Sequence, residues 1–127
     1  MPFSFGIEEE YFLVDRDTKA VARRMPDGFF EAARTALGDS VAGEFLQSQI
    51  EIVTKPHDDV AAARAELRRL RNVLGDIASQ HGLAILAAGT HPTAIWERSR
   101  QSEGERYDNV MDDLQMIGRR NMLCGMH

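Results

Sequence analysis

The chain has one cysteine, no long apolar run and no excess of basic residues, and each shortage excludes a class of protein. A single Cys124 cannot form an intrachain disulfide, so a reducing cytoplasm is the expected compartment. No apolar run approaches the roughly 20 residues that a membrane span requires, and the N-terminus lacks a signal-peptide pattern, so neither a membrane nor secretion is expected. Fifteen Lys and Arg against twenty Asp and Glu leave a net charge of −5, which leaves no cationic surplus to neutralise a nucleic-acid backbone. There is no Walker-type loop, no GxGxxG and no nucleophile elbow, so glycine patterning gives no nucleotide site. Repeats, low-complexity tracts and linkers are also absent. What remains is 127 residues with 43% hydrophobic and 28% charged content, the composition of one globular domain.

Against this ordinary background one segment stands out. Glu8-Glu9-Glu10 sits inside an otherwise apolar strand running from about Phe3 to Val14. Unpaired buried carboxylates are costly, and side chains alternate faces along a strand, so Glu8 and Glu10 project to one side and Glu9 to the other. Two carboxylates about 7 Å apart on one face can hold a divalent cation between them.

The rest of the pattern alternates strands and helices. Asp15 to Lys19 reads as a polar turn, followed by a short strand near Ala20 to Arg23. Asp27 is placed to cap a helix from Gly28 to Leu37, with Gly38 as its stop. Gly43 to Thr54 reads as one strand, with Leu46, Ser48, Ile50 and Ile52 on one face and Phe45, Gln47, Gln49, Glu51 and Val53 on the other. Asp58 or Asp59 then caps the clearest helix, whose stripe of Val60, Ala63, Leu67, Leu70, Leu74 and Ile77 ends before Gly82. Leu83 to Ala88 is an apolar strand, Gly89 to Pro92 a turn, Glu105 to Asn121 a helix, and Met122 to His127 the start of another strand. The expected fold class is α+β, a mainly antiparallel or mixed sheet covered by helices. The last strand breaks off soon after it begins, which suggests part of a larger protein, and an unpaired strand there favours association into a homo-oligomer.

The acidic candidates are Glu8, Glu10, Glu44 and Glu51. If the first and third strands are neighbours, Glu8, Glu10 and Glu51 converge on one face. Glu44 is an odd number of residues from Glu51, so it joins them only if the strand starts after it or contains a bulge. Hard oxygen ligands of this kind suit Mg²⁺ or Mn²⁺ bridging to phosphates. The alternative is that these glutamates pair with Arg23, Arg24 or other basic residues at a sheet edge. Arg64, Arg68, Arg69 and Arg71, interleaved with Glu66, read as a solvated helix face. His57 reads as an exposed loop residue, His81 as a helix-end residue, and Cys124 as a small buried thiol. His91 lies in a strand-end loop, where substrates are commonly held. Trp96 reads as a packing anchor and Arg106 as a carboxylate or phosphate clamp or a surface ion pair.

Five segments taken in order resemble the start of the glutamate–cysteine ligase type 2 family, the YbdK-like carboxylate–amine ligases. They are Phe5-Gly-Ile-Glu-Glu-Glu10, Glu44 to Thr54, Ala88 to Trp96, Glu105-Arg-Tyr107 and Cys124-Gly-Met-His127, and together they cover nearly the whole chain. The resemblance implies residues 1–127 as the N-terminal part of a single catalytic domain with a glutamine synthetase-like fold. It implies ATP as co-substrate with Mg²⁺ or Mn²⁺, and the joining of a carboxylate, typically the γ-carboxyl of glutamate, to an amine such as cysteine through an acyl-phosphate. Carried over by position, Glu8, Glu10, Glu44, Glu51 and His127 resemble metal ligands, and Thr90, His91, Arg106 and Tyr107 resemble the region facing the amino-acid substrates. Gln47 falls where some relatives carry an acid.

The resemblance also implies that the family continues well past residue 127, so a chain of this length is expected to be inactive alone. A second reading, from a different class, is a non-catalytic acidic domain that mediates metal-dependent or electrostatic assembly with a partner. A metal-dependent hydrolase using the same carboxylates would need a dedicated base, and this stretch shows none.

Overall fold

The acidic strand is central rather than peripheral. In a computed structural model describing residues 3–44, 46–94 and 122–127, β1 spans Glu8–Asp15 and lies inside a four-stranded sheet. The other elements follow as helix α1 (Phe29–Leu37), strand β2 (Val41–Gly43), strand β3 (Gln49–Val53), helix α2 (Val60–Gln80) and strand β4 (Leu83–Leu86). The sheet order is β2-β3-β1-β4 and each of these pairings is antiparallel. The expected α+β class holds, with the sheet antiparallel rather than mixed.

Both helices pack on one face of the sheet. Tyr11 and Leu13 of β1, Ile50 and Ile52 of β3 and Val41 of β2 point into a core with Phe29 and Ala33 of α1 and Leu67, Leu70, Leu74 and Ile77 of α2. The stripe read from the sequence is thus the buried face of α2, except that Val60, in its first turn, is 72% exposed. Asp59 caps α2 by accepting from Ala62 N at 2.8 Å. Gly82, at φ 73°, follows the helix end in the left-handed conformation that glycine adopts without steric penalty, and Gly38 ends α1 in the same half of the map at φ 59°. The opposite face carries a smaller cluster of Phe12, Val14 and Cys124, packed with Val21, Ala84, Leu86 and Met122.

Several boundaries differ from the sequence reading. The first strand begins at Glu8; before it only Phe5 is paired, bridging to His57. The expected strand at Ala20 to Arg23 is a single bridge, Val14 to Val21. Gly28, not Asp27, occupies the N-cap of α1, and no side chain caps that end. The apolar strand after α2 stops at Leu86 rather than Ala88. The stretch Gly43 to Thr54 is two antiparallel strands with a reversal between Gly43 and Gln49. The apolar–polar alternation is in fact interrupted between them, where Phe45-Leu46 and Gln47-Ser48 are like pairs, and the reversal falls in that stretch. The segment 122–127 does not form a strand element, though Met126 bridges to Glu9. The expected helix from Glu105 to Asn121 and Trp96 lie outside the described residues.

His57 is not an exposed loop residue. Its backbone exchanges two hydrogen bonds with Phe5, both 2.8 Å, and its Nε2 lies 2.5 Å from Glu66 Oε2 on α2. The Lys55 N–H donates to the same carboxylate at 3.1 Å. The connection from β3 to α2 is therefore fastened to the helix and to the entry of β1.

Candidate functional site: an acidic sheet face

Register decides what the carboxylates share. Glu10 pairs with Glu51 across β1 and β3, and Ala42 pairs with Glu51 across β2 and β3. Residues directly opposite in an antiparallel pair point to the same side, so Glu8, Glu10, Glu51 and Ala42 occupy the face away from the helices. Glu44 follows Ala42 by two residues, so the parity of β2 directs it to that face as well. The odd spacing to Glu51 that separated them on one strand is removed because the chain reverses between them.

The electrostatics agree with the register. Glu51 is pushed up from the usual 4.5 to about 8, first by burial, then by a hydrogen bond with Glu44 and repulsion from Glu44, Glu8 and Glu10. Each charge acting on it in this way is another carboxylate. The expected alternative partners are engaged differently: Arg24 pairs with Asp27 at 3.8 Å, and Arg71 with Glu9.

The C-terminal segment completes one border of this face. The Glu8 and Glu10 N–H groups donate to His127 O at 2.6 Å and Gly125 O at 2.9 Å, and His127 N returns a bond to Glu8 O at 2.8 Å. Gly125 N donates to Glu10 Oε2 at 2.8 Å, and His127 Nε2 lies 3.8 Å from Glu10 Oε1. Gln49, itself buried, donates from Nε2 to Leu123 O at 2.8 Å and approaches Cys124 Sγ at 3.4 Å. Burial, and less strongly the Glu10 and Glu44 charges, push the Cys124 thiol up to about 12 despite the Gln49 contact, so it stays protonated and is no nucleophile.

The sequence candidates divide accordingly. Glu8, Glu10, Glu44, Glu51 and His127 lie together on or at the border of one face. His91 packs edge-on against Phe12, whose parity places it on that same side, with ring centroids 6.0 Å apart. Its Nε2 lies 2.9 Å from Lys19 O, so that ring nitrogen already has a backbone partner. Thr90 is exposed beside it. Arg106 and Tyr107 lie outside the described residues.

A cavity of about 270 Å³ beside Glu10, bordered by Gly89, Cys124 and Gly125, falls below the ~300–1,000 Å³ typical of ligand pockets. Among the described residues no trio of His, Cys, Asp or Glu is drawn into a closed metal cage. The donors instead form an open plane of hard oxygens across three strands. That suits cations that keep part of their shell for phosphate and water better than a fully enclosed structural ion.

Sequence reasoning missed the group on the reverse of β1. Glu9 is 4% exposed and faces α2, where Arg71 donates to it twice, from Nε at 2.7 Å and from Nη2 at 2.5 Å. The Tyr11 hydroxyl also donates to Glu9 Oε2 and accepts from Arg71 Nε at 3.2 Å. Burial and the Glu9 hydrogen bond raise the Tyr11 phenol, and the Glu9 hydrogen bond raises Arg71, so Tyr11 stays neutral and Arg71 charged. Arg71 is therefore more than a solvated residue. The available signal was its place beside Leu70, on the flank of the apolar stripe, where a long side chain can reach the sheet.

The fold is shared with solved ligases. The structure of glutamate–cysteine ligase from Francisella tularensis in complex with AMP matches 95% of this chain and 25% of its own, at TM-score 0.70 and 22% identity. A bifunctional glutathione synthetase from Pasteurella multocida matches 97% of this chain and 16% of its own, at TM-score 0.72 and 17% identity. At such identities the likeness is one of fold.

Sequence similarity is closer and defines the family. The chain belongs to glutamate–cysteine ligase family 2, whose model matches residues 4–127. Proteins named "Putative glutamate--cysteine ligase 2" from Bradyrhizobium sp. (strain ORS 278) and Rhodospirillum rubrum are 52% and 45% identical to it, each over 98% of this chain. The chain spans about a third of their length, 31% and 33% respectively.

Proposed function

We propose that the acidic face is the cation-bearing wall of an ATP-dependent carboxylate–amine ligase. The observation that carries the reading is the meeting of Glu8, Glu10, Glu44 and Glu51 on the helix-free side of one sheet, with Glu51 held high by burial and then by the other three. Retaining that much like charge in one place stabilises nothing by itself, and Mg²⁺ or Mn²⁺ would relieve it. Family membership and the AMP held by the Francisella relative support ATP as the nucleotide.

In this reading Glu8, Glu10 and Glu51 bind the cations, with Glu44 and His127 at the margin. When bound, the ions neutralise the triphosphate and the phosphoryl group in flight. The overall reaction passes the γ-phosphoryl group from ATP to a carboxylate oxygen, releasing ADP. The amine nitrogen then forms the amide bond as phosphate leaves. Glutamate through its γ-carboxyl and cysteine through its amine are the substrates the family name suggests, and Thr90 and His91 border the face from which they would approach.

The test is Mn²⁺ titration of the chain, followed by the loss of free-ion electron-spin resonance signal. The Glu8→Gln and Glu10→Gln variants are expected to keep the far-UV dichroism of the parent and to weaken Mn²⁺ binding about tenfold or more. Equal affinity in parent and variants sinks the reading. A change in oligomeric state without loss of cation binding would favour an acidic assembly module instead.

A further inference from the structure

Three consecutive glutamates on one strand pose a problem that the cation face does not solve. Glu8 and Glu10 can face out only if Glu9 faces in, toward α2, where a carboxylate has no water to hydrate it. An unpaired Glu9 would regain hydration by lifting the start of β1 away from the helix. Glu8 and Glu10 flank it covalently and would move with it.

The backbone ladders to β3 and to Gly125 and His127 fix that end of β1 within the plane of the sheet, but its side-chain contacts to the helix layer are few. The apolar run Tyr11 to Val14 is buried and anchors the far half of the strand, whereas Ile7 is only half-buried and Phe5 and Gly6 are exposed. At the acidic end the inward contacts are Ile7, packed at the edge of the core, and the Glu9 carboxylate, held by the Arg71 fork and the Tyr11 hydroxyl. Arg71 is fixed to the middle of a 21-residue helix whose Leu70 and Leu74 are wholly buried. Its two-pronged geometry restricts direction as well as distance, which a single donor would not.

We infer that Arg71, acting through the buried Glu9 and Tyr11, is a positioning residue that clamps the acidic end of β1 to α2 and so fixes where Glu8 and Glu10 project on the opposite face. Its consequence for cation binding rests on the function proposed above; the clamp itself does not. The pair resembles the outer partners that orient metal ligands elsewhere, except that it acts through the backbone of the strand.

The electrostatic sign separates this role from the alternatives. Arg71→Met removes a positive charge behind a cation site, so a purely electrostatic effect would tighten Mn²⁺ binding. A purely structural effect would lower the melting temperature and leave the affinity of the folded chain unchanged. The clamp predicts weaker binding, about tenfold or more. It also predicts faster hydrogen exchange at the amides of Glu8 and Glu10, which donate to His127 O and Gly125 O, while the amides of α2 keep their protection.

The experiment combines Mn²⁺ titration with residue-resolved hydrogen exchange on the parent chain, Arg71→Met and Arg71→Lys. Lysine keeps the charge but loses the fork, and an intermediate loss on both readouts is expected. Unchanged or tighter Mn²⁺ binding in folded Arg71→Met, with unchanged exchange at Glu8 and Glu10, overturns the inference. If Arg71→Met does not fold, Arg71→Lys decides by the same two measurements. If the parent binds no Mn²⁺, the proposed function fails while the exchange data still test the clamp.

Discussion

At the scale of single residues, the three glutamates of β1 have three different environments. Glu8 is exposed, Glu9 is buried against an arginine, and Glu10 is half-buried with Gly125 N–H on one oxygen. Glu51, opposite Glu10, gives the clearest pH signature. Its carboxyl titrates near 8 in the folded chain and near the usual 4.5 when unfolded, so between those values the folded state holds a proton that the unfolded state has released. Raising the pH through that window therefore works against folding. Melting temperatures measured from pH 5 to 8 without divalent ions should fall more steeply in the parent than in Glu51→Gln. Identical slopes would show that Glu51 ionises normally. The sequence alone placed Glu51 among the candidates but could not give it this property, which comes first from burial and then from Glu44 beyond β2 and Glu8 and Glu10 on β1.

At the scale of elements, α2 is the most autonomous piece. Its cap, its stripe and its glycine stop are local signals, and the structure reproduces them apart from Val60. Leu74 is wholly buried between helix and sheet, so Leu74→Ala is expected to destabilise the chain by about 2–5 kcal/mol. Asp59→Ala removes one cap hydrogen bond at an exposed helix end and should cost about 1 kcal/mol. Urea unfolding of both variants checks the pair, and a larger loss at Asp59 than at Leu74 would contradict the assignment of the core. The β2–β3 hairpin was less legible. The alternation breaks at Phe45-Leu46 and Gln47-Ser48, two apolar residues followed by two polar ones, but no Gly or Pro in that stretch marks a turn. His57 was misread for a related reason, because its partners Phe5 and Glu66 are remote from it in sequence or lie on a separate element.

At the scale of the whole molecule, the sheet divides labour between its faces. One is sealed by α1 and α2, and the other gathers carboxylates beside a small apolar cluster. Among the described residues no helix is long and apolar enough to cross a membrane. The chain spans about a third of the length of its named relatives, and a single acidic wall does not surround a nucleotide or exclude water. These 127 residues by themselves are accordingly expected to release no ADP when supplied with ATP, Mg²⁺, glutamate and cysteine. Sustained ADP release would show that the site is complete within them. A thermal-shift measurement on the chain with Mn²⁺ should show a raised melting point if the proposed cation face binds it, because a ligand that binds only the native state stabilises it.

The sequence by itself determined the alternation that sends Glu8 and Glu10 one way and Glu9 the other, the amphipathic stripe of α2 and the positions of its ends. These follow from backbone periodicity and side-chain chemistry over a few residues. Only the tertiary structure decided that Glu44 joins the other acids, that Gly125 and His127 close in on Glu10, and that Arg71 turns back to hold Glu9. Those outcomes depend on which strands become neighbours and on where the chain reverses, and such long-range pairings leave no local mark in the residues that make them.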